Sequence, residues 1–213
     1  MEKRKQGTLI SIEGIDGSGK STLAKNLKKK LETNSFDVLL TYEPGDTDLG
    51  KHIRKILQER NFDMCGVSEF LLFAADRAQH FKDIIAPHLQ KNKIIISDRM
   101  ADSSLVYQGY GRGVNIQKIE IINKWAMNGI TPDITVYIKI SLDTALERLR
   151  KRKSIPTTFE KEKEEFTKKL INGYQKIYQN KKNIITLDGE KSANSMADEA
   201  YLKIEKFIIG KGD

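Results

Sequence analysis

The sequence predicts an α/β fold, a five-stranded parallel sheet with helices on both faces. Three observations carry this reading. Short β-rich runs recur along the 213 residues, helix-length amphipathic segments separate them, and the runs are almost continuously apolar rather than alternating. A strand that is apolar on both sides has to be covered on both sides, and a parallel sheet wrapped by crossover helices does this.

The first run, Leu9 to Ile12, leads into a glycine-rich loop. Leu23, Leu27 and Leu31 then lie four apart, one apolar helix face, with Lys25, Lys28, Lys29 and Lys30 on the others. Val38 to Tyr42 is the second strand. A long helical pattern covers Ser68 to Gln90, where Leu71, Leu72, Ala75, Ala78, Phe81 and Ile85 mark the expected core face. Lys93 to Ser97 is the third strand, and Ile119, Ile122 and Ala126 mark a helix over Ile116 to Asn128. Ile134 to Ile140 and Ile184 to Leu187 complete the sheet. Leu142, Ala145, Leu146 and Leu149 define a helix between those two strands, and Met196, Ala200, Ile204, Phe207 and Ile208 define the last. Residues 150–165 are crowded with charge and lose the apolar period, so a short mobile lid is expected there.

No internal repeat or linker is visible, so one domain over residues 1–213 is expected. The net charge is +8, but the lysines are spread out and interleaved with glutamates, as over Glu160 to Glu165. That pattern reads as a solvated surface that attracts nucleotides, with no nucleic-acid partner. One cysteine, Cys65, excludes an intramolecular disulfide and a cysteine-based zinc cluster. His52, His80 and His88 have no metal spacing and read as surface or packing residues. Met1 to Gln6 is charged and no long apolar stretch follows, so the expectation is no membrane association and a cytoplasmic protein.

Function is written most clearly in Gly14 to Ser21, G-I-D-G-S-G-K-S. Small residues at this spacing, between an apolar strand and a helix, let backbone N–H groups close around a polyphosphate at the positive end of the helix. Gly14, Ile15, Asp16, Gly17, Ser18, Gly19, Lys20, Ser21 and Thr22 are therefore the expected ATP site of a P-loop NTPase fold. Lys20 can reach the β- and γ-phosphates, the Ser21 hydroxyl can ligate Mg²⁺, and Asp98 can hold that metal or its waters. Arg99 beside it can grip a second phosphate. Ligands in such folds sit at the carboxyl ends of the strands, where Glu43-Pro44-Gly45 also falls.

Together these residues resemble the thymidylate kinase family, whose members phosphorylate dTMP with ATP on the way to dTTP. The likeness runs from Gly7 to about Ile208. It rests on E-G-I-D-G-S-G-K-S-T at 13–22, E-P-G at 43–45, L-L-F-A-A-D-R-A-Q-H at 71–80, S-D-R at 97–99, D-S-S-L-V-Y-Q-G at 102–109 and P-D-I-T at 132–135. The resemblance implies that Phe73 stacks on thymine, Arg77 bonds its 4-carbonyl and Arg99 binds the dTMP phosphate. Ser104 and Gln108 would lie near the base edge, and Tyr107 under the sugar. Asp16 would approach the 3′-hydroxyl or the metal shell, Glu43 and Pro44 would shape the acceptor pocket, and Arg54 would add a second guanidinium to the phosphate. It also implies a homodimer, with Trp125 either core or at a subunit contact. Read from the residues alone, Phe73 and Tyr107 also fit core packing, and Arg77 a surface pairing with Asp76 or Glu69. Two departures matter. Thr157-Thr158 stands where many bacterial relatives have Asp-Arg, and the phosphate loop has no arginine. A transition-state cation is then expected from Arg148, Arg150 or Arg152, with Arg148 and Arg152 favoured because they share a helix face. The competing readings are another deoxynucleotide or nucleoside kinase of this fold, and an NTPase driving a protein or nucleic-acid partner.

Overall fold

The computed structural model describes residues 7–59, 61–151, 159 and 164–210. Five strands among them, β1 Thr8–Glu13, β2 Val38–Tyr42, β3 Ile94–Asp98, β4 Ile134–Lys139 and β5 Ile184–Asp188, form one all-parallel sheet in the order β2-β3-β1-β4-β5. The expected α/β class and strand count therefore hold. Central β1 is buried along its whole length and lies between β3 and β4, with Ile10 paired to Ile96 and Ile134. The loop that leaves β1 thus opens at the middle of the sheet's carboxyl edge, where the neighbouring connections part to either side.

The strands lie between helices α1 Lys20–Thr33, α2 Asp48–Glu59, α3 Gly66–His80, α4 Ala86–Gln90, α5 Ala101–Ser104, α6 Ile116–Ala126, α7 Leu142–Arg150, α8 Glu164–Tyr178 and α9 Ala193–Gly210. Side chains alternate along a strand, so β1 feeds two layers. Ile10 and Ile12 join Leu23, Leu27 and Leu31 of α1 and Met196, Ala200 and Ile204 of α9 in one apolar cluster. Leu9 points the other way, with Ile95, Phe81, Ile85 and Met127. Tyr137 of β4 stacks on Tyr174 of α8 at 5.2 Å between ring centres. Both faces are covered, as continuous apolar strands require.

The long helical pattern behaves differently from its expectation. Helix α3 passes through a wider π-helical turn at Phe81–Ile85 into α4. A second such turn, Leu105–Gly111, extends α5. The stripe Leu71, Ala75 and Ala78 faces solvent instead of the core, and the buried face carries Glu69, Asp76, Arg77 and His80 beside Phe70 and Ala74. The physical reason is that this helix walls a polar cavity, so its inward stripe holds hydrogen-bonding groups that find partners there. Of the expected lid, Arg152 and residues 153–158 and 160–163 lie outside the described residues. Among the described residues no helix is long and apolar enough to cross a membrane.

Leu27 is fully buried between the sheet and α9. Leu27→Ala should cost about 2–5 kcal/mol of unfolding free energy through lost burial and a residual cavity. Urea unfolding followed by circular dichroism measures this, and a loss below ~1 kcal/mol would contradict the packing described.

Candidate active site

A cavity of about 580 Å³ opens at the carboxyl edge of the sheet. Of the residues expected from the sequence, Asp16, Gly17, Gly19, Lys20, Ser21, Thr22, Glu43, Pro44, Arg54, Phe73, Arg77, Asp98, Arg99, Ser104, Tyr107, Gln108 and Arg148 all line it. Gly14, Ile15 and Ser18 form the buried back of the loop. Arg152 falls outside the described residues.

The loop's shape follows from its glycines and from what packs on it. Gly17 sits at φ 82°, and a Cβ there would stand 2.6 Å from the Ala145 carbonyl oxygen of α7. Only glycine lets α7 close on the loop. Helix α1 begins at Lys20, directly after Gly19, with no acidic residue in its first turn, so its unpaired N–H groups end at the cavity. The Lys20 ammonium donates to the Ile15 carbonyl at 2.8 Å. Burial, and next the Arg99 charge, bring its pKa down to about 8.

The Ser21 hydroxyl donates to Asp98 Oδ2 at 2.5 Å. Two hard oxygen donors side by side below a phosphate loop fit Mg²⁺ well, because that ion takes one or two protein ligands and fills its octahedron with phosphate oxygens and water. Among the described residues no cluster of three or more histidine, cysteine or carboxylate ligands offers a closed cage. The donor set thus suits an ion shared with a nucleotide.

Arg99 joins the two halves of the cavity. Its Nη1 donates to the Gly14 carbonyl at 3.1 Å and to Ser103 Oγ at 3.0 Å, and its Nη2 donates to Tyr107 Oη at 3.1 Å and to Asp16. Tyr107 Oη in turn donates to Asp16 Oδ2 at 3.2 Å, and the guanidinium lies 5.0 Å over the Tyr107 ring. Arg99 adopts φ 73°, a left-handed backbone, while its amide donates to the Ile12 carbonyl of β1 at 3.0 Å. Burial favours the neutral form of Asp16, but the charges of Arg99 and then Lys20 hold it below the usual carboxylate range.

At the other end Phe73 and Tyr107 face Phe159, with ring centres 5.9 and 6.1 Å away. Arg77 is not a surface residue paired with Asp76 or Glu69. It is 1% exposed, and its Nε donates to Glu43 Oε2 at 2.9 Å. The second Glu43 oxygen meets His80 Nδ1 at 2.9 Å, and His80 Nε2 lies 2.6 Å from Thr41 Oγ1. Reading His80 as surface or mere packing is therefore wrong, because its ring closes a buried polar network. Glu43 spends both oxygens on Arg77 and His80. Burial would raise its pKa, and Arg77 and then His80 outweigh that. Arg54 donates to the Pro44 carbonyl at 2.7 Å, and Gln108 Nε2 donates to Glu69 Oε1 at 2.9 Å. Arg148 lines the cavity and donates to the Gly189 carbonyl at 2.8 Å, whereas Arg150 is exposed.

Sequence reasoning gave no role to Glu13, Ser103 or Asn123. Glu13 is fully buried behind Arg99 and accepts from the Met100 amide at 2.8 Å, Ser103 Oγ at 2.6 Å and Tyr174 Oη at 3.1 Å. Burial, and next the Asp102 charge, push its pKa up to about 7. A carboxyl neutral in the fold but ionised when unfolded stabilises fully below its ordinary value of 4.5, and loses that contribution as pH rises through about 7. The unfolding free energy of the native chain relative to Glu13→Gln should therefore fall between pH 5 and pH 8, by up to ~1.4 kcal/mol per unit. Urea titrations of both proteins across that range measure it, and a flat or rising difference rules the explanation out.

Comparison with known proteins agrees with this geometry. The family model described as thymidylate kinase matches residues 12–200. The chain is 38% identical over 206 residues to a thymidylate kinase of Halothermothrix orenii, covering 96% of this chain and 99% of that one. It is 37% identical over 201 residues to one of Kosmotoga olearia, covering 94% and 95%, and 38% identical over 206 residues to one of Caldanaerobacter subterraneus, covering 96% and 98%. With a phosphate loop, an arginine at its mouth and an aromatic pocket beyond it in one cavity, and with full-length similarity of this order, the chain belongs to the thymidylate kinase family.

Proposed function

We propose that this protein transfers the γ-phosphoryl group of ATP to dTMP, giving dTDP and ADP, with Mg²⁺ as the metal. The observation that carries the reading is one continuous cavity lined at one end by the phosphate loop and at the other by Phe73, Arg77 and Tyr107, with Arg99 and Asp16 between them. A phosphate oxygen of dTMP forms the new bond to the γ-phosphorus while the bond to the β–γ bridging oxygen breaks. Such a transfer needs alignment and charge neutralisation more than covalent help.

Each residue has a part in this reading. The loop N–H groups and Lys20 hold the ATP phosphates, and Ser21 and Asp98 hold Mg²⁺, which would offset the negative charge of the reacting oxygens. Arg99 grips the acceptor phosphate, with Arg54 beside it. Phe73 stacks on the base and Arg77 donates to its 4-carbonyl, with Ser104 and Gln108 along the edge. Tyr107 packs under the sugar, where a ribose 2′-hydroxyl would meet the ring. Glu43 acts through Arg77, since both its oxygens are taken, and Pro44 shapes the pocket wall. Asp16 turns Arg99 and Tyr107 toward the sugar and phosphate. Arg148 supplies the cation at the transferring group, with Arg152 as its companion. Residues 1–213 act as one domain.

The protein works as a cytoplasmic homodimer in this reading. Supporting the dimer, Val67 and Leu71 of α3 and Ile121 and Trp125 of α6 are exposed on two helices that pack together, Trp125 at 83%. An indole so open is not core, so the contact alternative remains, and a second copy of the chain would cover it.

A coupled assay across dTMP, dUMP, UMP, CMP and AMP tests the reaction, with dTMP expected to give the highest kcat/KM. In the same assay Lys20→Ala should lose at least ~3 kcal/mol of transition-state stabilisation, a hundredfold or more in kcat, while staying folded. A folded Lys20→Ala protein with ordinary turnover would remove the loop from the chemistry. For the donor side, Arg148→Ala should lower kcat strongly and Arg150→Ala little. The reverse order, or full activity in both, would assign the extra cation elsewhere.

A further inference from the structure

Arg77 donates from three nitrogens, and its partners fix where it points. A guanidinium carries five N–H groups and no acceptor. Nε is spent on Glu43, Nη1 donates to Asn123 Oδ1 at 2.7 Å, and Nη1 and Nη2 share Ser104 Oγ at 3.3 Å. One N–H of Nη2 is left for the cavity. Asn123 makes the shortest of these contacts. It is 3% exposed on the inner face of α6, does not line the cavity, and reaches Arg77 from behind. Its amide is held the right way round, since Nδ2 donates to the Ala101 carbonyl at 3.4 Å and only Oδ1 can face a guanidinium.

We propose that Asn123 is a positioning residue for base selection, holding the Arg77 guanidinium so that its one unspent N–H meets the 4-position of a pyrimidine. This rests on the dTMP reading above. A fixed N–H donates to a 4-carbonyl and leaves a 4-amino group facing it without an acceptor, which is the discrimination a buried polar site makes best. Without Asn123 an Nη1 hydrogen is buried with no partner, and the guanidinium turns to find one. The 4-carbonyl then loses its donor and the 4-amine its penalty. Glu43, itself held by His80, takes the Nε side, and Ser104 meets both Nη groups only at 3.3 Å, so Asn123 gives the Nη side its one short hydrogen bond.

The test compares kcat/KM for dTMP, dUMP and dCMP in the wild type, Asn123→Leu, Asn123→Ala and Asn123→Asp. The last two nucleotides share a sugar and phosphate and differ at the 4-position. In Asn123→Leu the ratio of dUMP to dCMP should drop at least tenfold, mostly through a higher KM for dUMP, with KM for ATP unchanged. Asn123→Ala should do the same, and it decides the matter if the leucine variant does not fold. Asn123→Asp still offers an acceptor to Arg77 and should keep the ratio within about threefold of wild type. A ratio unchanged in the folded leucine or alanine variant overturns the proposal. So does an equal loss for dUMP, dCMP and ATP, which would mark a packing role, or an aspartate variant as unselective as leucine. A wild-type chain inactive on dTMP sinks the substrate reading instead, and this proposal with it.

Discussion

The guanidinium of Arg99 is the contact on which the rest of the site depends. It spans the gap between the loop after β1 and the segment after β3, touching Gly14, Asp16, Ser103 and Tyr107 at once. A half-buried ion pair of this kind contributes little to stability, because withdrawing both charges from water costs about as much as their attraction returns. Its value lies in geometry. One planar cation fixes the direction of a carboxylate, a phenol and a serine, and so sets the distance between the two ends of the cavity before any ligand arrives.

Two buried glutamates illustrate how partners decide a charge state. Glu13 and Glu43 are almost equally removed from solvent. Glu13 accepts several hydrogen bonds but has neutral donors close by and the Asp102 charge nearby, and burial wins, raising its pKa to about 7. Glu43 holds Arg77 directly and His80 beside it, and their charge and hydrogen bonds win, lowering its pKa. Hydrogen bonds from neutral groups are worth about 0.5–1.5 kcal/mol each, less than the cost of burying a bare carboxylate, whereas an adjacent cation exceeds it. The Glu13 carboxyl therefore changes its charge near neutral pH, and the Glu43 carboxyl does not.

Much of this was legible beforehand. The strands stand out because burial on both faces leaves runs of Leu, Ile and Val in β1, β3 and β4, broken by Thr8, Ser11, Thr135 and Tyr137, before the carboxyl edge where Glu13, Ser97, Asp98 and Lys139 stand. The strand order was not legible, because parallel strands joined by helices carry no local pairing signal. The face of α3 was misread since Leu71, Ala75 and Ala78 recur at helical spacing, as a core stripe would. A signal was present nevertheless. Glu69, Asp76, Arg77 and His80 also share one helix face, and charged groups at core spacing mark a helix that lines a polar site. Asn123 carried no such signal. A lone asparagine on an amphipathic helix reads as surface until the fold brings a buried guanidinium to it.

The left-handed backbone at Arg99 has a consequence for anyone seeking a more robust form of this protein. A side chain at φ 73° costs about 1–2 kcal/mol that glycine would not incur. Selection for heat resistance alone would favour glycine there and would discard the cation. The strain is tolerated because the Arg99 amide is tied to β1 and its guanidinium to the loop, so the fold holds a conformation the residue would not choose. Robustness and turnover pull in opposite directions at this one position, and screens for stabilised variants should keep residue 99 fixed.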